Sequence, residues 1–204
     1  NVGYSNAKSY NTIVPQQPDY FKGPEYLTAD ANFRVKTSKT GMLKFYTNYG
    51  YNRVGMRNPD VDSNDLKSSF DLLGKNFYGN VSYRESMKNG WKIDASAAYN
   101  YSDDKTTSQL LDSTNHPVDI PDTIFSHKNA GSRSFGNYVQ EKLVLTKRFA
   151  GNQSLRFGGE HVFTQNDFSN NSTPGVQSAR LNDNLIAAFA ETNQGQLGLY
   201  RLFT

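Results

Sequence analysis

Apolar and polar side chains alternate along most of this chain with a period of two. In 91–101, Trp91, Ile93, Ala95, Ala97, Tyr99 and Tyr101 alternate with Lys92, Asp94, Ser96, Ala98 and Asn100. Successive side chains of a strand point to opposite faces, so such a run has one apolar and one polar face. Phe77, Gly79, Val81 and Tyr83 alternate likewise with Asn76, Tyr78, Asn80, Ser82 and Arg84. Leu155, Phe157, Gly159, His161 and Phe163 do so with Ser154, Arg156, Gly158, Glu160, Val162 and Thr164. Leu27 to Val35 and Leu43 to Tyr49 repeat the pattern, opposing Asp30, Arg34 and Lys36 in the first run and Lys44 and Asn48 in the second. The pattern predicts an all-β chain of about nine strands: roughly Val2–Ser9, Tyr26–Lys36, Met42–Arg53, Lys75–Ser86, Gly90–Tyr101, Phe135–Phe149, Gln153–Gln165, Asn184–Asn193 and Gln196–Thr204.

A soluble sandwich also alternates, but three details favour an antiparallel up-and-down transmembrane β-barrel. The expected strands run to about 10–13 residues, against a typical 5–6 in globular proteins and about 9–11 for a tilted membrane strand. Aromatics sit at strand ends around small residues, as Trp91 and Tyr99 do around Ala95 and Ala97; such ends match the interfacial girdles of outer-membrane barrels. Connections alternate in length. Short ones are expected at Thr37–Gly41, Met87–Gly90, Ala150–Gln153 and near Asn193–Gly195, and long polar loops at Tyr10–Glu25, Val54–Gly74, Ser102–Ser134 and Asn166–Asp183. Up-and-down connectivity puts all short turns on one side, the asymmetry of outer-membrane barrels. Bacterial barrels have even strand numbers and leave no open edge in lipid, so residues 1–204 are expected to be a segment of a larger barrel.

Composition sharpens this picture. Only 36% of the residues are apolar, Tyr included, against roughly 45–50% in an ordinary globular domain. Yet 13 Tyr and 13 Phe are present, unlike a disordered segment. The net charge of +3, from 22 basic and 19 acidic residues without a basic cluster, gives no sign of a nucleic-acid partner. Cysteine is absent, so no disulfide or thiolate metal site supports the fold. The longest apolar runs, such as Leu185–Ala190, are too short to cross a bilayer as a helix. No signal peptide is visible, although export would require one.

Four runs, Leu73–Arg84, Gly90–Ser102, Leu143–Phe149 and Asn184–Thr192, resemble the barrels of TonB-dependent receptors of the Bacteroidota, the last resembling their "aFaE" strand. The resemblance covers roughly residues 1–193; residues 194–204 depart from it. It implies an outer-membrane location and import of a large nutrient such as a siderophore or glycan. The partners it implies are membrane lipid, a plug domain within the barrel, an energy-coupling TonB protein and a surface lipoprotein. The plug and its coupling box are not visible in this sequence. Two alternatives stand beside transport: a secreted carbohydrate-binding β-sandwich, and a non-transporting structural barrel.

Catalytic, cofactor and metal residues are not expected. The stretch Asp60-Val61-Asp62-Ser63-Asn64-Asp65 has alternate oxygen donors and Asp71 at the twelfth place. An EF-hand needs Gly at six and Glu at twelve, where this chain has Asp65 and Asp71, so a solvated loop is the better reading than a calcium site. His116 and His127 share one long loop without ligand spacing, and His161 falls on an apolar face near a strand end, where an imidazole suits the membrane interface. There is no G-x-S-x-G elbow. Glu160 and Glu191 are the only notable carboxylates for a glycosidase pair, and strand-end positions suit them better. The set Asp30, Arg34, Lys44, Arg84, Lys92, Asp94, Arg156 and Glu160 is expected to line the polar lumen. The loop Ser102–Ser134, with its apolar clusters Leu110-Leu111, Val118–Ile120 and Ile124-Phe125, is the expected place for a ligand or partner, reached by deleting Gln109–Phe125 without touching a strand.

Overall fold

In the computed structural model, residues 1–6, 19–61, 65–118, 128–172, 175–194 and 197–203 are described. They form one nine-stranded antiparallel sheet in sequence order: β1 (Val2–Asn6), β2 (Asp19–Lys36), β3 (Met42–Pro59), β4 (Lys67–Ser86), β5 (Trp91–Leu111), β6 (Ala130–Arg148), β7 (Ser154–Ser172), β8 (Gly175–Gln194) and β9 (Leu197–Phe203). The three short turns at 37–41, 87–90 and 150–153 therefore lie along one edge, as the sequence predicts.

Register carries the alternation across the whole sheet. Val35, Leu43, Tyr83, Ala95, Leu143, Gly159 and Ala188 stand side by side on seven strands. So do Phe33, Phe45, Val81, Ala97, Glu141, His161 and Ile186, two residues further up. The first row is apolar over a width of seven strands, and the second is interrupted by Glu141 and His161 alone. On the row Lys36, Met42, Arg84, Asp94, Val144, Gly158 and Phe189, the strand ends lie at Lys36 itself, two residues on at Ser86, four on at Arg148 and five on at Gln194. The hairpin ends step steadily along the strands. Tilted strands of a barrel wall need this stagger.

Among the described residues, the strands pack extensively only against their sequence neighbours, and no second layer forms. Buried apolar residues among the described ones are Ala98, Leu110, Leu111 and Val144 alone. A two-sheet sandwich, with Trp91 in a dry core, is therefore not what this chain forms. Trp91 is half-buried, while Leu143 and Ile186 are 47% and 77% exposed. Exposure does not otherwise separate the two faces, because each is covered only by its own neighbours. Ser96 and Asp94 are as half-buried as Ala95 and Ile93.

The strands outrun their expected limits. β2 to β8 are 18–21 residues long, so the long connections shrink. The stretch Val54–Gly74 is strand as far as Pro59 and again from Lys67, and Asn166–Asp183 is a hairpin between Ser172 and Gly175. Within Ser102–Ser134, β5 continues to Leu111 and β6 begins at Ala130. Deleting Gln109–Phe125 would cut β5, contrary to expectation. Of the expected first long loop, Asp19–Glu25 belongs to β2; 7–18 lie outside the described residues.

The top of the β5–β6 hairpin packs on itself. Leu111 bridges to Pro117, Val118 N donates to Leu110 O, and Asn129 accepts from Leu110 N at 2.7 Å and donates to Val118 O at 2.8 Å. Leu110 and Leu111 are buried beneath this fold-back; the other two apolar clusters lie largely in 119–127, outside the described residues. Lower on this extension, Arg133 donates two hydrogen bonds to Asp103, at 2.7 and 3.0 Å. They hold the Asp103 carboxyl below its usual range. Its contribution is therefore complete above the ordinary unfolded value of about 3.9 and is lost as pH falls through the lower folded value. The protection factor of the upper β5–β6 ladder, the intrinsic amide exchange rate divided by the observed one, is expected to be constant from pH 7 to 5 and to fall on further acidification, less so in Asp103→Asn, where protection is already low.

Two of the short turns, 87–90 and 150–153, are built on left-handed backbone. Asn89 and Gly90 have φ of 59° and 74°, and Gly151 of 75°. A Cβ on Gly90 would meet the Arg148 carbonyl O at 2.6 Å, whereas one on Gly151 would have nothing within 4 Å. Gly151→Ala should cost about 1 kcal/mol from φ alone, and Gly90→Ala at least about 2. Unfolding midpoints of the two variants check the difference.

Candidate functional site

The second face gathers the charges. The transverse row Arg34, Lys44, Ser82, Ser96, Lys142, Glu160 and Ala187 runs beside the row of Arg84 and Asp94. Asp30 is in register with Asn48, and Lys92 with Thr146 and Arg156. All eight residues picked from the sequence thus share this face. Register also decides their partners. Asp94 accepts from Arg84 and, at 2.8 Å, from Lys92. Glu160 accepts from Gln140 and lies 3.4 Å from Lys142. Arg156 pairs with Glu191 at 3.5 Å and stacks over the Phe189 ring at 5.5 Å. Arg34 and Lys44 face each other across β2–β3 with no carboxylate partner among the described residues.

A hollow of about 660 Å³ opens here, lined by Lys44, Arg84, Lys92, Asp94, Lys142 and Arg156 among others. Its five cations face three carboxylates once Glu160 and Glu191, the partners of Lys142 and Arg156, are counted with Asp94, which leaves a positive balance near the short turns, suited to an acidic protein surface or an anion. Sequence reasoning missed Lys142 and Gln140, and gave Glu191 no partner. The alternation of Gln140, Lys142, Val144 and Thr146 with apolar neighbours was available as a signal. Val144, 2% exposed on this charged face opposite Gly158, had none.

The catalytic and metal suspects are dispersed. Glu160 and Glu191 occupy rows four residues apart, each bound to its own cation. His116 sits in an exposed turn where Asp112 Oδ1 accepts from Thr114 and from His116 N at 2.9 Å; His127 lies outside the described residues. Of the calcium candidate, Asp71 is on β4 and paired with Lys22, and Asp60 is paired with Lys128 at 2.6 Å. Positions 62–64 lie outside the described residues. No cluster of three metal-binding side chains forms among the described residues.

His161 is not near a strand end. It is the eighth residue of β7, because that strand continues to Ser172. Its Nδ1 lies 3.3 Å from Glu141 Oε2 and its Nε2 2.8 Å from Asn184 Oδ1. The three polar groups satisfy one another on the apolar face, between the Leu143 row and Phe163. Neither a family model nor any curated protein sequence matches this chain.

Proposed function

We propose that this chain is part of the wall of an outer-membrane barrel, and that the complete protein is a TonB-dependent receptor importing a large nutrient. The observation that carries the membrane location is the single-layered sheet whose apolar face spans seven strands with almost nothing buried. Water on that face would expose a band far larger than soluble monomers tolerate; lipid covers it without a second protein layer. The opposite face then lines a polar lumen. There the cations around Asp94 and Glu160 meet the plug domain, whose displacement by the energy-coupling protein would open the path. The receptor identity itself is supported by the four resembling runs.

This chain has no Cys, so once any Cys elsewhere in the complete protein is replaced the test is direct. Single Cys substitutions at 92–97 in the complete protein, assembled in bilayers, should show a period of two. Positions 93, 95 and 97 should be shielded from a water-soluble maleimide and quenched by a lipid-dissolved quencher; 92, 94 and 96 should react with the maleimide. Uniform labelling would overturn the membrane location. Receptor function is tested separately, by loss of nutrient uptake on removing the energy-coupling protein.

A further inference from the structure

The apolar face ends upward in a cationic patch. On β4, β5 and β6, the row Phe77, Tyr101 and Asn137 is followed by Lys75, Asp103 and Phe135, and that by Leu73, Lys105 and Arg133. Tyr101 and Phe135 meet edge to face, with ring centroids 5.4 Å apart. They mark an aromatic border of the kind that sits at a membrane–water interface. Just beyond it, three cations surround one carboxylate. Asp103 is buried and taken up by the two hydrogen bonds from Arg133. Lys75 and Lys105 are exposed, and neither has an ion-pair partner among the described residues. A net charge of two positives is left facing outward at the border. The flanking charges cancel in pairs: Arg53 with Glu25 at 2.9 Å on one side, Arg180 with Asp167 at 2.5 Å on the other.

We infer that Lys75, Lys105 and Arg133 hold the phosphate of an outer-leaflet lipid whose acyl chain runs down the apolar face. This rests on the proposal that the apolar face lies in lipid. Ammonium and guanidinium groups make their strongest hydrogen bonds to such oxyanions, and basic pockets beside membrane-spanning elements bind lipid headgroups. The chain has a place to go. Six residues below Lys75 on β4 is Val81, about 20 Å at the rise of a strand. There the same face carries a shallow groove of about 630 Å³. Ala95, Ala97, Gly159 and Ala188 line it between Val81 and Leu143, and Glu141 and His161, hydrogen-bonded to each other, close its upper side. Small side chains under a bulky rim leave space for a chain end. Between patch and groove lie only Phe77, Gly79, Tyr99, Tyr101, Asn137 and Val139 on these three strands. An acidic peptide would match the charge but would have no use for the groove.

The test uses the full-length protein in non-ionic detergent, titrated with diphosphorylated lipid A and followed by native mass spectrometry. One or two lipids should stay bound. Lys75→Glu/Lys105→Glu should weaken binding about tenfold or more, while Lys75→Arg/Lys105→Arg should keep it. Lys39→Glu/Lys88→Glu, the same charge change at the short turns, should leave it unchanged. Fully dephosphorylated lipid should bind the native protein no better than the diphosphorylated lipid binds the reversed variant, and millimolar inorganic phosphate should not compete. Equal binding by the reversed variant, equal binding of the dephosphorylated lipid, or displacement by free phosphate would each overturn the proposal. In those cases the alternating labelling of 92–97 would still stand. If the protein stays in solution without detergent, the membrane location fails and the lipid site with it.

Discussion

Ala95→Arg is expected to destabilise the bilayer-embedded protein by about 2–4 kcal/mol, the cost of a cation at mid-depth on a barrel's lipid face. Ser96→Arg, one residue on, should cost less than about 1. Ala95 lies between Tyr83 and Leu143 in the row that stays apolar from Val35 to Ala188. The carboxylates on that face are only diagonal to it, Glu85 beside Ile93 and Glu141 beside Ala97, and are already engaged by Tyr83 and His161, so a guanidinium there must snorkel toward water. Ser96 lies between Ser82 and Lys142, with Glu160 next in the row. Arginine on that side enters a hydrated, charged surface, where substitutions usually stay within about half a kcal/mol; nearby Lys44 and Lys142 add some repulsion. Urea unfolding from vesicles measures both variants. Equal costs at 95 and 96 would mean that the two faces meet the same medium, as neither lipid nor a lumen would allow.

The contrast between adjacent positions was legible in the sequence because a strand with one apolar and one polar face alternates residue by residue. Trp91 to Tyr101 alternates cleanly, and the strand drawn there is correct to within one residue at its start. Beyond Tyr101 the signal ends although the strand does not. Ser102-Asp103-Asp104-Lys105-Thr106-Thr107-Ser108 has polar groups on both sides, and no second layer packs on either face there. Such a segment reads as loop by its Asp and Ser content, yet its backbone groups pair fully with β4 and β6. The true hairpin tops are held by ladder hydrogen bonds and by Thr, whose branched side chain suits a pleated strand. Neither leaves a periodic trace.

The site shows the same division. Which face each charge occupies follows from odd and even numbering within a strand, and all eight expected residues were placed on one face. Which charges meet follows from register between strands, and that is fixed by turn geometry. Arg156 meets Glu191 because β7 and β8 pair Ser154 with Asn193, a fact no single strand encodes. His161 failed for a related reason: its face was legible, its depth was not, because depth depends on where β7 ends.

Gly158→Ala should be the most damaging single methyl in the sheet, costing about 2–3 kcal/mol, at the upper range for overpacking. Gly158 faces Val144 across β6–β7. A Cβ at 158 would overlap the Leu143 carbonyl oxygen and come within 3.0 Å of Val144 Cα and 3.2 Å of Leu143 C. All three are backbone atoms of the paired strand, so no rotamer change relieves the contact and the ladder itself must shift. Val144 is 2% exposed over this spot, and it would be lifted with the strand. Gly159 is the control. It has the same neighbours in sequence, but a Cβ there would find only the Ala187 carbonyl oxygen, at 3.4 Å, an ordinary contact. Gly159→Ala should therefore be neutral, or stabilising by about 0.4–1 kcal/mol through a less flexible unfolded chain. Unfolding midpoints at constant slope separate the two. If Gly159→Ala proved as costly as Gly158→Ala, the close approach of β6 and β7 at Val144 would not be the reason glycine stands at 158.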